Sequence, residues 1–227
     1  MRKRGWGLLV AAVTSLLLIL VLAWWSGRLV IPRLYGLAGT ESGRPFTPPP
    51  LEGILRERNV PVPLSRPRLV VKKGEYALTL YDGEMPLKTY PIALGFAPRG
   101  DKELEGDGRT PEGEFYVCQK VEHPVQRYLG TRWLRLSYPM PDDAERGLAQ
   151  GLITPHEYEA IIRAAAAKGI PPQKTRLGGG IGIHGGGYLR NGEIVRNWTL
   201  GCIALFDADI EEFYDLIPLG TPVVILP

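Results

Sequence analysis

A mainly β domain with helix confined to insertions is the fold class this sequence predicts, and three observations predict it. Its apolar runs are short and rich in valine, isoleucine, leucine and tyrosine, the side chains that fit a pleated, half-buried surface. Turn pairs such as Asp82-Gly83 and Asn191-Gly192 punctuate those runs. Helix-start signals occur at two places only, each between strand segments. A β-sandwich or barrel-like core is the expected arrangement.

The elements follow in chain order. Arg2, Lys3 and Arg4 precede nineteen residues, Gly7 to Trp25, in which only Thr14 and Ser15 are polar. At helical rise this run is about 28 Å long, close to a bilayer core, so 7–25 is expected to be a transmembrane signal anchor behind a cytoplasmic basic flank at 1–6. A cleaved signal peptide has a shorter apolar core, and Ala23-Trp24-Trp25 lacks a small-x-small exit. No cysteine sits there to take a lipid. Residues 26–67 carry Pro45, Pro48, Pro49, Pro50, Pro61, Pro63 and Pro67 and read as an extended spacer, although Leu51 to Arg58 can form a short helix packed on the domain.

Charge supports the same partition. Residues 1–33 contain five basic residues and no acid, so the overall +3 leaves −2 on the rest. The exported part is therefore not basic, which excludes a nucleic-acid footprint. About 160 residues remain from 68 to 227, enough for one domain with its own core.

Within that domain, Leu69-Val70-Val71 and Tyr76 to Tyr81 run into Asp82-Gly83, and Leu87 to Leu94 returns from it. Further strands are expected at Glu114 to Cys118, Trp133 to Ser137, Ile181 to Ile183 and Val223 to Leu226. Thr154-Pro155-His156-Glu157 has an N-cap, a proline at the first helical position and Glu at the third, so a helix should run to Lys168 and stop at Gly169. Asp207 is read as the cap of a second helix through Tyr214, ended by Pro218. The 140–178 insertion that holds the first of these is either a lid over the site or a surface hairpin.

The chemistry concentrates in one region. Ile181-Gly182-Ile183-His184-Gly185-Gly186-Gly187 is followed closely by Asn197-Trp198-Thr199-Leu200-Gly201-Cys202-Ile203-Ala204. One of two cysteines thus stands eighteen positions after one of three histidines, with glycine crowding both. A thiol nucleophile needs an imidazole to take its proton, and glycines admit a reacting carbonyl to backbone N–H groups. Cys202 is the candidate nucleophile and His184 the candidate general acid/base. Gly185, Trp198, Thr199 and Gly201 form the candidate pocket and oxyanion shell. Cys118, inside a strand, reads as buried filler. His123, His156 and His184 have no ligand spacing, so neither metal nor cofactor is expected.

These residues resemble the L,D-transpeptidases with a YkuD-type catalytic domain, whose site carries a His-Gly pair and a Ser/Thr-x-Gly-Cys element, here His184-Gly185 and Thr199-Leu200-Gly201-Cys202. The stretches Gly95 to Lys102 and Glu105 to Gly113, with Thr110-Pro111-Glu112-Gly113, look like the loop before the family's Thr-Pro-x-Gly element. The likeness spans residues 68–227. Ala204 stands where many members have arginine, and Trp-Thr-x-Gly-Cys-Ile-Ala looks like a branch that includes cutting as well as joining enzymes. The resemblance implies a cell-wall cysteine acyltransferase acting on peptidoglycan stem peptides through a thioester, with the tautomer of His184 set by a backbone carbonyl and carbapenem-type β-lactams as covalent inhibitors. It places the enzyme in the bacterial envelope, its catalytic domain outside the cytoplasmic membrane. An L,D-endopeptidase with the same site and a non-catalytic wall-binding scaffold are the alternatives.

Overall fold

Strand pairing starts at the expected hairpin. The structure, a computed structural model, describes residues 49–191 and 193–227. The 7–25 anchor, most of the 26–67 spacer and Gly192 of the Asn191-Gly192 turn lie outside the described residues. Among the described residues no helix is long and apolar enough to cross a membrane.

The chain runs α1 (Leu51–Glu57), β1 (Pro67–Lys72), β2 (Ala77–Asp82), β3 (Met85–Pro91), β4 (Leu94–Gly95), β5 (Gly113–Glu122), a 3-10 turn at Arg127–Leu129, β6 (Arg132–Leu136), α2 (Pro141–Ala149), α3 (Pro155–Ala166), β7 (Gly182–His184), β8 (Leu189–Arg190), β9 (Glu193–Ile194), β10 (Asn197–Thr199), β11 (Ile203–Ala204), α4 (Asp207–Tyr214) and β12 (Pro222–Leu226). Eight strands make one mixed sheet in the order β11-β7-β6-β5-β12-β1-β2-β3. Valine and leucine alternation sets its register. Leu69 and Val71 of β1 face the core and pair with Val223 and Ile225 of β12 on one side and Leu80 and Leu78 of β2 on the other.

The sheet curls rather than stacking as a sandwich. Ala93, just beyond edge strand β3, exchanges hydrogen bonds with Ala204 of the opposite edge strand β11, at 2.8 and 2.9 Å. Parallel pairing of β4 with β10 reinforces the junction. Tyr90, Leu134, Leu136, Ile183, Ile203 and Phe213 are among the side chains that fill the interior, and α4 covers one end with Phe213 against Tyr90 at 5.2 Å.

Two differences from the sequence reading have clear causes. Within the 26–67 spacer, the alternative of a packed short helix holds from Leu51, and burial continues to Leu64. Leu51, Leu55, Val60 and Leu64 are buried in the main core, so α1 belongs to the domain. Proline density counts backbone restraint and overlooks the leucine spacing that gives α1 an apolar face. The second concerns Asp207. The N-cap of α4 is Phe206, with no side-chain cap, and the Asp207 carboxylate instead accepts from Thr131 N–H at 2.9 Å and Gly186 N–H at 3.0 Å.

The insertion is a helical hairpin with its own small core of Ala144, Ile153, Ile161 and Leu177. The Thr154 capping box forms as read: Thr154 Oγ1 accepts from Glu157 N–H at 3.2 Å, and the Glu157 carboxylate accepts from Thr154 N–H at 2.8 Å. Arg146 of α2 donates to the carbonyls of Lys102 and Glu103, bracing the loop between β4 and β5.

Candidate active site

The register of β7 and β11 brings the two candidate groups together. Ile203 pairs with Ile183 and Ala204 with His184, in parallel. Ile183 and Ile203 point into the core, so the alternate positions, His184 and the residue just before β11, Cys202, project from the other face. Both line one cleft of about 810 Å³, with Trp133, Arg135, Gly180 and Trp198 among its walls. That volume suits a peptide segment.

His184 is buried between two tryptophans. Trp133 stacks on it at 5.7 Å and 25°, and Trp198 meets it edge-on at 5.9 Å and 82°. Nδ1 lies 2.6 Å from the Gly185 carbonyl. A carbonyl only accepts, so Nδ1 carries the hydrogen and Nε2 keeps its lone pair for a base's role. Burial lowers the imidazole pKa to about 4, opposed by the Gly185 hydrogen bond and the Asp207 charge. Gly185 and Gly130 each lie so close to Asp207 Oδ1 that a β-carbon at either would overlap it.

The turn that carries Cys202 is held by Thr199. Its hydroxyl donates to the Cys202 carbonyl at 2.7 Å and accepts from Gly201 N–H at 3.2 Å. Gly201 has φ +130°, and a β-carbon there would come 2.7 Å from the Arg109 carbonyl of the β4–β5 loop. Cys202 Sγ lies 3.4 Å from the Gly180 carbonyl. Burial pushes the thiol up to about 11, while the Gly182 N–H and the charges of Arg135 and Lys102 pull the other way. Both shifts favour a neutral thiol and a neutral imidazole.

Two of the glycine N–H groups in the shell are already engaged. Gly185 N–H donates to the Arg132 carbonyl at 3.2 Å, and Gly201 N–H is held by Thr199. Neither is available to an oxyanion. The N–H of Cys202 has no partner among the described residues. Trp198 Nε1 is buried with no partner among the described residues, and its ring packs on Tyr188 at 5.6 Å. No residue of α2 or α3 lines the cleft, whereas Gly179 and Gly180, which trail the insertion, do. The insertion supports the cleft from behind through Gln173, whose side-chain carbonyl accepts from Gly180 N–H at 2.8 Å. Cys118 stands apart on β5 with Sγ 3.6 Å from the Arg135 carbonyl, and both cysteines are free.

The profile of the YkuD family, described as the L,D-transpeptidase catalytic domain, matches residues 66–225. The chain belongs to this family. The YkuD protein of Bacillus subtilis strain 168 is 32% identical over 127 residues, covering 52% of this chain and 69% of that protein. Its counterpart in Bacillus licheniformis is 30% identical over 118 residues, covering 48% and 63%. Among solved structures, the helical cell shape determining protein Pgp2 of Campylobacter jejuni is similar with 25% identity and a TM-score of 0.48, covering 77% of this chain and 54% of that one. The chain thus spans about half the length of that solved structure.

Three residues of this L,D-transpeptidase domain that shape the site escaped the sequence reading: Arg135, Asp207 and Gln173. Arg135 sits on β6 within an alternating strand, and the alternation that identifies the strand also marks it as cleft-facing. Asp207 looks like an ordinary cap, and Gln173 carries no local signal.

Proposed function

We propose that the chain is a cell-wall cysteine acyltransferase, an L,D-transpeptidase working on peptidoglycan stem peptides from the outer side of the cytoplasmic membrane, to which 7–25 tethers it. The observation that carries this reading is Cys202 and a neutral, tautomer-defined His184 on one face of adjacent strands, opening into one cleft.

Because neither group is charged at rest, proton transfer accompanies attack. Nε2 of His184 takes the thiol proton as Sγ bonds to the carbonyl carbon of the donor's scissile peptide. The negative charge that develops on the carbonyl oxygen meets the Cys202 N–H. The tetrahedral species collapses to a thioester as the C–N bond breaks, and His184 returns its proton to the leaving D-alanine amine. The amine of a second stem then attacks the thioester, gives its proton to His184 and displaces the sulfur, which takes the proton back. Water in place of that amine makes the same site an L,D-endopeptidase. A strained β-lactam of the carbapenem class opens on the same sulfur.

Incubation of the full chain with purified muropeptides, followed by mass spectrometry, tests the reading. Cross-linked dimers expected from wild type and absent from Cys202→Ala support transpeptidation. Conversion of added dimers to monomers assigns the endopeptidase. A folded, reduced protein inert to both refutes acyl transfer.

A further inference from the structure

The most deeply buried cations of this domain are paired with carboxylates, whereas a half-buried one in the wall of the cleft is not. Lys73, Lys88 and Lys102 are almost fully enclosed, and each meets a carboxylate, from Glu112, Glu212 and Asp107, at 2.8, 2.6 and 2.8 Å. This is what the cost of desolvating a charge demands. Arg135 is half-buried in the wall of the catalytic cleft and has no carboxylate partner among the described residues. Neutral acceptors hold it instead: Nε donates to Gln119 Oε1 and Nη1 to Gln173 Oε1, both at 2.7 Å. Its guanidinium lies 5.6 Å from the Trp133 ring centre, and Trp133 stacks on His184. Two glutamines from different elements, β5 and the insertion, thus aim the planar fork without neutralising it, and Nη2 has no hydrogen bond among the described residues.

We propose that Arg135 is the anchor for a carboxylate of the acyl donor, the anion that completes this pair being supplied by substrate. The proposal rests on the acyl-transfer reading and adds the recognition element to it. Four observations support the assignment. Among the described residues, and apart from His184, Arg135 is the sole ionisable basic group lining the cleft. With Nε and Nη1 held by the glutamines, Nη2 keeps its N–H groups for charge-assisted bonding to a carboxylate. Arg135 and Cys202 line the same cleft, so a carboxylate bound by Arg135 shares it with the reacting centre. Ala204, at the motif position where many relatives have arginine, is buried in β11 and offers no charge of its own. A stem peptide can bring a carboxylate to either side of the scissile bond: the terminal one on the leaving D-alanine, and a side-chain one on the residue that becomes the acyl group.

The test uses the full chain in mild detergent with three donors: both carboxylates free, the terminal one amidated, and the side-chain one amidated. For wild type, kcat/KM is expected to fall roughly 10- to 100-fold on amidation of the carboxylate that Arg135 holds. Arg135→Gln should lose the same factor on the diacid and nothing further on that amidated donor. Arg135→Lys, which keeps the charge and loses the fork, should fall between. An equal loss on all three donors would make Arg135 a structural residue and overturn the proposal. Protection of Cys202 from iodoacetamide by N-acetyl-alanine, compared with its amide, gives a readout free of turnover. Acid-selective protection that vanishes in Arg135→Gln sustains the carboxylate site even if no muropeptide reacts, in which case the acyl-transfer reading alone falls. Equal protection by both compounds, or none by either, overturns the site.

Discussion

Burial of the His184 imidazole between Trp133 and Trp198 decides which protonation states the site can use. The base works when neutral, and its pKa is lowered to about 4, so the acid limb of kcat/KM should lie near that value and well below the ordinary histidine range. The thiol is raised to about 11, so alkylation of Cys202 by iodoacetamide should keep accelerating above pH 9 without a plateau near neutrality. A plateau at pH 7 would reveal a preformed ion pair. Cys118→Ser should keep most activity, because Cys118 lies outside the cleft lining. Asp207→Ala strips the acceptor from the N–H groups of Gly186 and Thr131, which should cost about 1–3 kcal/mol of stability. It should also lower kcat more than it raises KM, since the loop beside His184 loosens. Asp207→Asn, which keeps an oxygen acceptor, should recover most of both. At this scale the sequence disclosed the residues whose neighbours in the chain are glycines. It concealed Asp207 and Gln173, whose partners are 76 and 38 positions away, for Thr131 and Arg135 respectively.

At the scale of elements, the turn before β11 is a wedge against the β4–β5 loop. Gly201→Ala forces a β-carbon into a backbone φ of +130° and against the Arg109 carbonyl, so the loop must shift. Loss of most activity and a destabilisation of about 1–3 kcal/mol are expected, read by muropeptide turnover and urea unfolding. The helical hairpin is braced separately. Ile161→Ala opens its small core and should cost about 2–5 kcal/mol locally, seen as faster hydrogen exchange in α2 and α3 before the sheet exchanges. Elements with strong local signals were legible: the Thr154 capping box, the Asp82-Gly83 hairpin and the Ile-Gly-Ile-His strand. Helix α2 was not, since its N-cap is Met140 rather than a usual capping residue. A two-residue strand such as β4 or β11 exists only because a distant partner pairs with it.

At the largest scale, the main eight-stranded sheet of the described residues is curled and closed at Ala93 and Ala204, and α1 seals part of its core. A chain starting at residue 66, where the family match begins, would lose Leu51, Leu55, Val60 and Leu64 from the interior. At about 1.5–3 kcal/mol for each large buried aliphatic side chain, the loss is comparable to a domain's entire stability. Chains starting at residue 49 should melt cooperatively, while those starting at 66 should melt far lower or aggregate. Calorimetry of the two compares them directly.

The placement of β12 between β1 and β5 has a further consequence, for folding. Leu69 pairs with Val223 across more than 150 positions, and the central rung of the sheet is one of its longest-range contacts. Until β12 docks, β1 and β5 both present bare backbone along one side, the kind of strand edge that recruits other chains. A high contact order makes that docking slow. The partly assembled protein is consequently adhesive for as long as its middle strand is missing. A peptide with the sequence of residues 222–226 should compete for the vacant slot during refolding and slow the appearance of a reactive Cys202, while leaving the finished protein untouched.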